Sequence, residues 1–217
     1  MQSIREEVQA LGFAFRGACD PDLTDHFMAH RIGVPLALSS EGPVHLLIPA
    51  PKEERSPNTY SGIHGLGAFP LHTDLAHHRL PPRYFMLRCK APDGCVGTTL
   101  ADSADIIASV GASLLSRALV QPRRRRNGIR PLLRLFDPAI RLFRWDSEFV
   151  RPASDAGKQA VAGVSEALRR QHVTEIRLGS PGDLVVIDNW RMLHGRTAVP
   201  LSSRGRRIAR VYLECLH

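Results

Sequence analysis

Long apolar runs are missing from this chain, and no stretch approaches the length that crosses a bilayer as a helix. The opening residues, Met1-Gln2-Ser3-Ile4-Arg5-Glu6-Glu7, place acids where a secretory leader has its apolar core, so no leader is expected. Cysteine is scarce. Cys19, Cys89, Cys95 and Cys215 are scattered with no Cys-x-x-Cys pair, which argues against a zinc knuckle or a disulfide framework. Reduced thiols in a cytoplasmic protein are the expectation. There is no glycine-rich phosphate loop, no internal repeat, and no low-complexity tract beyond one arginine cluster.

What remains is an ordinary globular composition, 43% hydrophobic and 23% charged over 217 residues. That length suits one domain, residues 1–217, better than two. Basic residues exceed acidic ones, 29 to 21, for a net charge of +8. Such an excess can mark a polyanion partner. Here it concentrates in Arg123-Arg124-Arg125-Arg126 and in Arg130, Arg134, Arg141 and Arg144, without the interleaved aromatics on which single-stranded nucleic acid stacks. The segment therefore reads as a solvated loop, and neither nucleic acid nor membrane is expected as a partner.

Ser3-Ile4-Arg5-Glu6 is a capping box for a first helix stopped by Gly12, and a second helix is predicted over about Asp22 to Arg31. Val44 to Ile48 reads as a strand, and Pro51 to Gly67 as a loop. Strands are predicted at Tyr84 to Cys89 and Thr98 to Ala101 around a Pro92-Asp93-Gly94 turn. A helix follows from Ser103 to Val120, then a strand at Glu148 to Val150 and an amphipathic helix over Asp155 to Gln171. Pro181-Gly182 turns into the apolar run Asp183 to Asp188, and Arg206 to Leu216 forms the last strand. This order predicts a mainly β fold with flanking helices, an antiparallel jelly-roll rather than a parallel α/β sheet.

The chemistry-bearing pattern is His72-Thr73-Asp74, followed 120 residues later by His194, near the end of the strand expected after Pro181-Gly182. If His72 and Asp74 lie on a strand, positions i and i+2 share a face and both reach one ion. Two imidazoles and one carboxylate bind one face of an octahedral Fe(II) and leave three positions open. His77, His78, Trp145 and Trp190 read as loop or packing residues, and Asp188 and Asn189 as fixing the turn before His194.

The stretches Gly67 to His78, Pro81 to Tyr84 and Gly97 to Leu100, with Gly182 to Asn189, His194-Gly195-Arg196 and Arg206 to Arg210, resemble the taurine dioxygenase-like family. The resemblance runs from about Asn58 to Tyr212. It implies a double-stranded β-helix, cupin-like, with Fe(II) bound by His72, Asp74 and His194. It further implies 2-oxoglutarate as cosubstrate, O2 as oxidant and a small-molecule substrate. Matching the family residue by residue, Thr99 donates a hydrogen bond to 2-oxoglutarate. Arg206 holds its far carboxylate, and Arg210 lies near the C1 carboxylate or the substrate. Arg207 replaces Arg206 if a bulge shifts the register. Asn58, Tyr60 and His64, in the loop beside the site, are the candidate substrate contacts. A carboxylate at Asp74 leaves no vacancy for halide, so hydroxylation is expected rather than halogenation. Two other readings remain: a nucleic-acid oxidative demethylase, and a non-catalytic jelly-roll that binds through the Arg-rich segment. The interval between Asp74 and His194 is shorter than in most of the family, so substrate identity does not carry over.

Overall fold

The structure is a computed structural model that describes residues 3–38, 40–125 and 128–217. In chain order the first elements are α1 (Ile4–Leu11), β1 (Phe13–Arg16), α2 (Asp25–Ile32), β2 (Gly33–Pro35), β3 (Val44–Leu47), α3 (Tyr60–His64) and β4 (Phe69–His72). Then come β5 (Tyr84–Ala91), β6 (Gly97–Asp102), α4 (Ser103–Val110), α5 (Ala112–Arg117), β7 (Leu119–Pro122), β8 (Leu133–Arg134), β9 (Phe136–Asp137) and β10 (Leu142–Phe143). The chain closes with β11 (Val150–Pro152), α6 (Asp155–Arg170), β12 (Thr174–Arg177), β13 (Leu184–Asp188), β14 (Met192–Arg196) and β15 (Arg207–Leu216).

Two antiparallel sheets carry the fold. The larger runs β1-β13-β5-β15, with β2 and β3 both pairing β15; the smaller runs β12-β6-β14-β4. Side chains alternate along β5 and β13, and both faces of these strands are buried. Phe85, Leu87, Val185 and Ile187 meet Leu100 and Met192 of the smaller sheet, while Met86, Leu184 and Val186 pack under α1 and α2 with Val8, Met28 and Ile32. That is why the Asp183 to Asp188 run is continuously apolar rather than alternating. On the outer face of the smaller sheet, Ala101 and Leu193 join α4, α5 and α6 in a third cluster. The predicted double-stranded β-helix with flanking helices is the observed fold.

Local signals account for most helix ends. Ser3 and Glu6 form the reciprocal capping box of α1, and Gly12, at φ +83°, ends it. The helix expected from Ser103 to Val120 is instead broken by Gly111, at φ +95°, into α4 and α5, and its last residues extend as β7. The Pro51 to Gly67 loop contains α3, capped by the Thr59 hydroxyl on the Gly62 N–H. A Cβ at Gly62 would lie 1.8 Å from the Ser56 carbonyl oxygen, so only glycine fits that turn. Strands β1, β2 and β12 are not predicted by the sequence pattern. Each has three or four residues, and β12 (Thr-Glu-Ile-Arg) turns only Ile176 toward the core.

The basic segment divides. Arg123, Arg124, Arg125, Arg130, Arg134 and Arg141 are exposed, while Arg126 lies outside the described residues. Arg144 departs from the solvated-loop expectation: it is buried, and donates to the carbonyls of Ala76, His78, Arg79 and Arg134. Burial lowers its pKa to about 10, which still leaves it charged at neutral pH.

Arg88, fully buried on the helix-facing side of β5, donates to the carbonyls of Cys19, Asp20 and Leu23 and to Asp25 Oδ1 at 2.8 Å. It ties the β1–α2 connection to the sheet. Arg88→Met should destabilise the protein by about 2 kcal/mol, because it removes four hydrogen bonds, one of them to a half-buried carboxylate that keeps Lys90 as its other partner. Urea unfolding measures this; a loss below about 1 kcal/mol would show that the connection holds without it.

Candidate metal centre and cavity

The smaller sheet sets the first two ligand positions. The strand expected to run on to His194 ends at Asp188; His194 lies on β14, in the other sheet, and pairs across the ladder with His72, the last residue of β4. Asp74 is not on the strand, contrary to the same-face expectation. The strand ends at His72, and Asp74 lies in the turn that follows, with Leu75 at φ +56°. Convergence is achieved by cross-links instead. The Thr73 N–H donates to the Trp145 carbonyl, and the Trp145 N–H to the Thr73 hydroxyl. The fully buried Asn189 accepts from the Asp74 N–H at 2.7 Å and donates to the carbonyls of Asp74 and Pro82. Asn189 thus fixes the aspartate turn as well as the approach to His194.

One ligand atom from each of His72, Asp74 and His194 lies within 4.8 Å of the others, and all three residues are buried. Asp74 Oδ1 is 3.6 Å from His72 Nε2 and 3.5 Å from His194 Nε2. The other oxygen, Oδ2, accepts from Arg210 Nη1 at 3.0 Å and from the Tyr212 hydroxyl at 2.9 Å. Burial opposes ionisation of Asp74, but Arg210 and the two imidazoles outweigh it and hold the carboxyl well below the usual range. Burial and the neighbouring His72 push His194 down to about 4. Burial also opposes charge on His72, but Asp74 raises it above its ordinary value. A cation binds here only to the neutral imidazole, so metal and proton compete for this ring. Neutral His72 donates Nδ1–H to the Pro70 carbonyl at 2.9 Å, which leaves the Nε2 lone pair toward Asp74. The donor set fits a divalent transition metal.

These residues lie on a cavity of about 460 Å³ whose wall includes Leu75, Phe85, Leu87 and Phe149. Arg206 and Arg210 line it with Ile208 and Tyr212, as one face of β15 and its lead-in should. The pairing of β15 with β5 does shift between Arg207 and Ile208, but Ala91 and Cys89 are the partners there, so the skipped residue is Lys90 on β5. The alternation of β15 survives, and Arg207 turns away to the carbonyls of Arg204 and Arg206. Arg206 is buried, its Nε lacks a partner, and burial lowers its pKa. A desolvated guanidinium of this kind fits a carboxylate ligand. Arg196 also lines the cavity but is committed to the carbonyls of Gly65 and Gly67.

Thr99 requires a correction. Alternation on β6 sends Thr98 and Leu100 inward, whereas Thr99 faces away, its hydroxyl against Gly195. The threonine on the cavity is Thr98. Of the three loop candidates, Asn58 and Tyr60 line the cavity; His64 does not, and stacks behind Tyr60 at 5.8 Å between ring centroids. Tyr60 lies over His72 at 4.0 Å between centroids, its hydroxyl donating to Asp146 Oδ1 at 2.9 Å. His77, expected as a loop residue, also lines the cavity, whereas Trp145 and Trp190 are packing residues. Tyr212 and Asp146 escaped the sequence reading. Tyr212 carried a signal, since it continues the Arg206, Arg210 face; Asp146 lies in irregular chain and carried none. None of the three ligand candidates lines the other hollow, of about 520 Å³, beside α4, α5 and α6.

Iron content should fall to background in His72→Ala, Asp74→Ala and His194→Ala; unchanged stoichiometry in all three would sink the assignment. Asn189→Ala keeps every ligand but loosens the turn, and should weaken iron binding about 10–100-fold. A Cβ on Gly195 would lie 2.6 Å from the Phe69 carbonyl oxygen and 2.8 Å from the Thr99 hydroxyl. Gly195→Ala should therefore cost about 1–3 kcal/mol in stability and weaken iron binding too. Thermal melting with and without Fe(II) separates the two effects.

Comparison with known proteins leads to iron oxygenases. The Taurine catabolism dioxygenase TauD, TfdA family matches residues 116–212. Clavaminate synthase 2 of Streptomyces clavuligerus is 30% identical over 166 residues, covering 65% of this chain and 48% of that protein. The chain thus spans about half the length of this curated relative. The non-heme iron oxygenase OrfP, in complex with Fe, succinate and (3S)-hydroxy-L-Arg, superposes with a TM-score of 0.67 at 18% identity, over 95% of this chain and 76% of that one. An asparagine oxygenase in complex with Fe(II), 3-hydroxyasparagine and succinate gives 0.62 at 19% identity, over 79% and 56%. In fold the chain resembles these iron oxygenases, and over residues 116–212 its sequence resembles the taurine catabolism dioxygenase family.

Proposed function

We propose that this chain is a cytoplasmic Fe(II)- and 2-oxoglutarate-dependent dioxygenase, one domain over residues 1–217, that hydroxylates or otherwise oxidises a small molecule at carbon. An amino acid or a natural-product intermediate is the substrate class. The observation that carries the reading is a buried His72, Asp74, His194 cluster in the same cavity as the partnerless guanidinium nitrogen of Arg206. The asparagine oxygenase and OrfP structures hold hydroxylated amino acids, which supports the substrate class. Four free cysteines support a reducing compartment, and no described helix is long and apolar enough to cross a membrane.

When bound, iron and 2-oxoglutarate supply the oxidising chemistry, with O2 as oxidant and succinate and carbon dioxide as by-products. The chain contributes placement. His72, Asp74 and His194 hold the metal, and Arg206 pairs with the far carboxylate of the cosubstrate. Thr98, in place of Thr99, adds a neutral hydrogen bond. Arg210 and Tyr212 occupy Asp74 Oδ2 and so present Oδ1 to the metal. Leu75, Phe85, Leu87 and Ile208 exclude water from the reacting carbon. Asn58 and Tyr60 flank the substrate, and His64 backs Tyr60.

Removing one partner of a desolvated charge pair costs about 2–5 kcal/mol, so Arg206→Ala should weaken 2-oxoglutarate binding tens to thousands of fold. Thr98→Val should cost on the order of 1 kcal/mol, and Thr99→Val much less. Anaerobic titration of the Fe(II) proteins, following the charge-transfer band, gives the order. A large loss in Arg207→Ala with none in Arg206→Ala would overturn the assignment.

A further inference from the structure

The cavity wall carries one carboxylate besides Asp74. Asp146 is 2% exposed and forms no ion pair among the described residues. Three donors converge on one of its oxygens: the Tyr60 hydroxyl at 2.9 Å, the Glu148 N–H at 2.8 Å and the Phe149 N–H at 2.9 Å, all to Oδ1. Those bonds fix the orientation of the carboxyl plane. Among the described residues no donor reaches Oδ2, although the residue lines the cavity. Burial raises the pKa of Asp146, and the donors on Oδ1 work against that rise. Oδ2 is thus left for the cavity side, where a cation brought by a ligand would complete its hydrogen bonding.

Within the wall the charge that acts on Asp146 is that of His72, which is neutral once it holds a metal, and the arginines leave the complement to the ligand. Of the cavity arginines, Arg210 is bound to Asp74, Arg196 to the carbonyls of Gly65 and Gly67, and Arg55 to the Ile48 carbonyl. Arg206 interacts through space with Cys89 and Asp93, and Asp146 is not among its electrostatic partners. Tyr60 then sets the place of Asp146 relative to the metal ligands. Its ring covers His72 and its hydroxyl ends on Asp146, so the carboxylate lies one tyrosine side chain from a ligand imidazole. A substrate group seated there would be near the metal without competing for a coordination position.

We infer that Asp146 Oδ2 is a recognition site for a cationic group of the substrate, an ammonium or a guanidinium, and that Tyr60 is the positioning residue that holds it. The inference rests on the oxygenase reading and narrows its substrate class to small molecules that carry a positive charge.

The test uses the full chain loaded with Fe(II) and 2-oxoglutarate without oxygen. Two matched pairs serve as probes: L-arginine against L-citrulline, and L-lysine against L-norleucine. Calorimetric titration should show the cationic member of at least one pair binding about tenfold to a hundredfold more tightly, the range of one charge-assisted hydrogen bond. Asp146→Asn keeps an acceptor for Tyr60 and for the two N–H groups, and should abolish that preference while iron and 2-oxoglutarate still bind. A purely structural Asp146 would lower the melting temperature in the variant and leave the affinity ratio unchanged. Tyr60→Phe should reduce the ratio partially, with Oδ1 still held by the two N–H groups. Equal affinities within both pairs in wild type, no binding by any probe, or a ratio that persists in Asp146→Asn would each overturn the inference. Failure to bind Fe(II) or 2-oxoglutarate at all would instead overturn the oxygenase reading, and the two failures are thus read separately.

Discussion

The placement of Asp74 is the constraint on which the site depends. A carboxylate just past the end of a strand has no ladder to hold it, and its two oxygens are interchangeable until something distinguishes them. Asn189 fixes the main chain around it through three amide contacts, and Arg210 with Tyr212 engages one oxygen. Only then is the other oxygen committed to the side of the two imidazoles. The larger sheet supplies these restraints, through β15 and the turn after β13, while the smaller sheet supplies both histidines. The ligand set is therefore assembled by the packing of the two sheets, and the core of Phe85, Leu87, Leu100, Ile187 and Met192 between them also sets the geometry at the metal.

That arrangement gives the cavity an uneven electrostatic character. Four arginines and two aspartates line it, yet three of the arginines are already engaged by protein acceptors. Net charge therefore says little about what the cavity will bind. The informative groups are the Arg206 guanidinium, which among the described residues donates to no protein acceptor, and the Asp146 carboxylate, whose three donors all fall on one oxygen. Apolar lining strengthens both, because a charge held away from water interacts more strongly with its complement.

Much of this was legible in the chain. The helix caps at Ser3 and Gly12, the apolar Asp183 to Asp188 run and the Arg206, Arg210 spacing are local signals with local consequences, and the structure honours them. Signals that depend on distant partners were not legible. Whether a β-strand threonine faces in or out depends on register, which a pair such as Thr98-Thr99 does not declare. Asp74 leaves its strand because Trp145 and Asn189, 71 and 115 residues later, hold the turn there. Gly111 was visible as a residue, but its positive φ follows from packing two short helices against α6. Arg144 looked like one more member of a basic cluster, since composition carries no information about burial.

Arg144 also joins two parts of the chain that sequence treats as unrelated. Its guanidinium satisfies the carbonyls of residues 76, 78 and 79, directly after the metal aspartate, from a segment whose described residues form only short strands and irregular chain. A segment of that kind is where related enzymes can differ most without disturbing a sheet. Here it cannot vary throughout: a transplant of residues 123–150 from another scaffold would remove the brace under the ligand turn unless it carried an equivalent buried cation. Diversification of the substrate side and maintenance of the metal side are, in this chain, tied together at Arg144 and its two neighbours, Trp145 and Asp146.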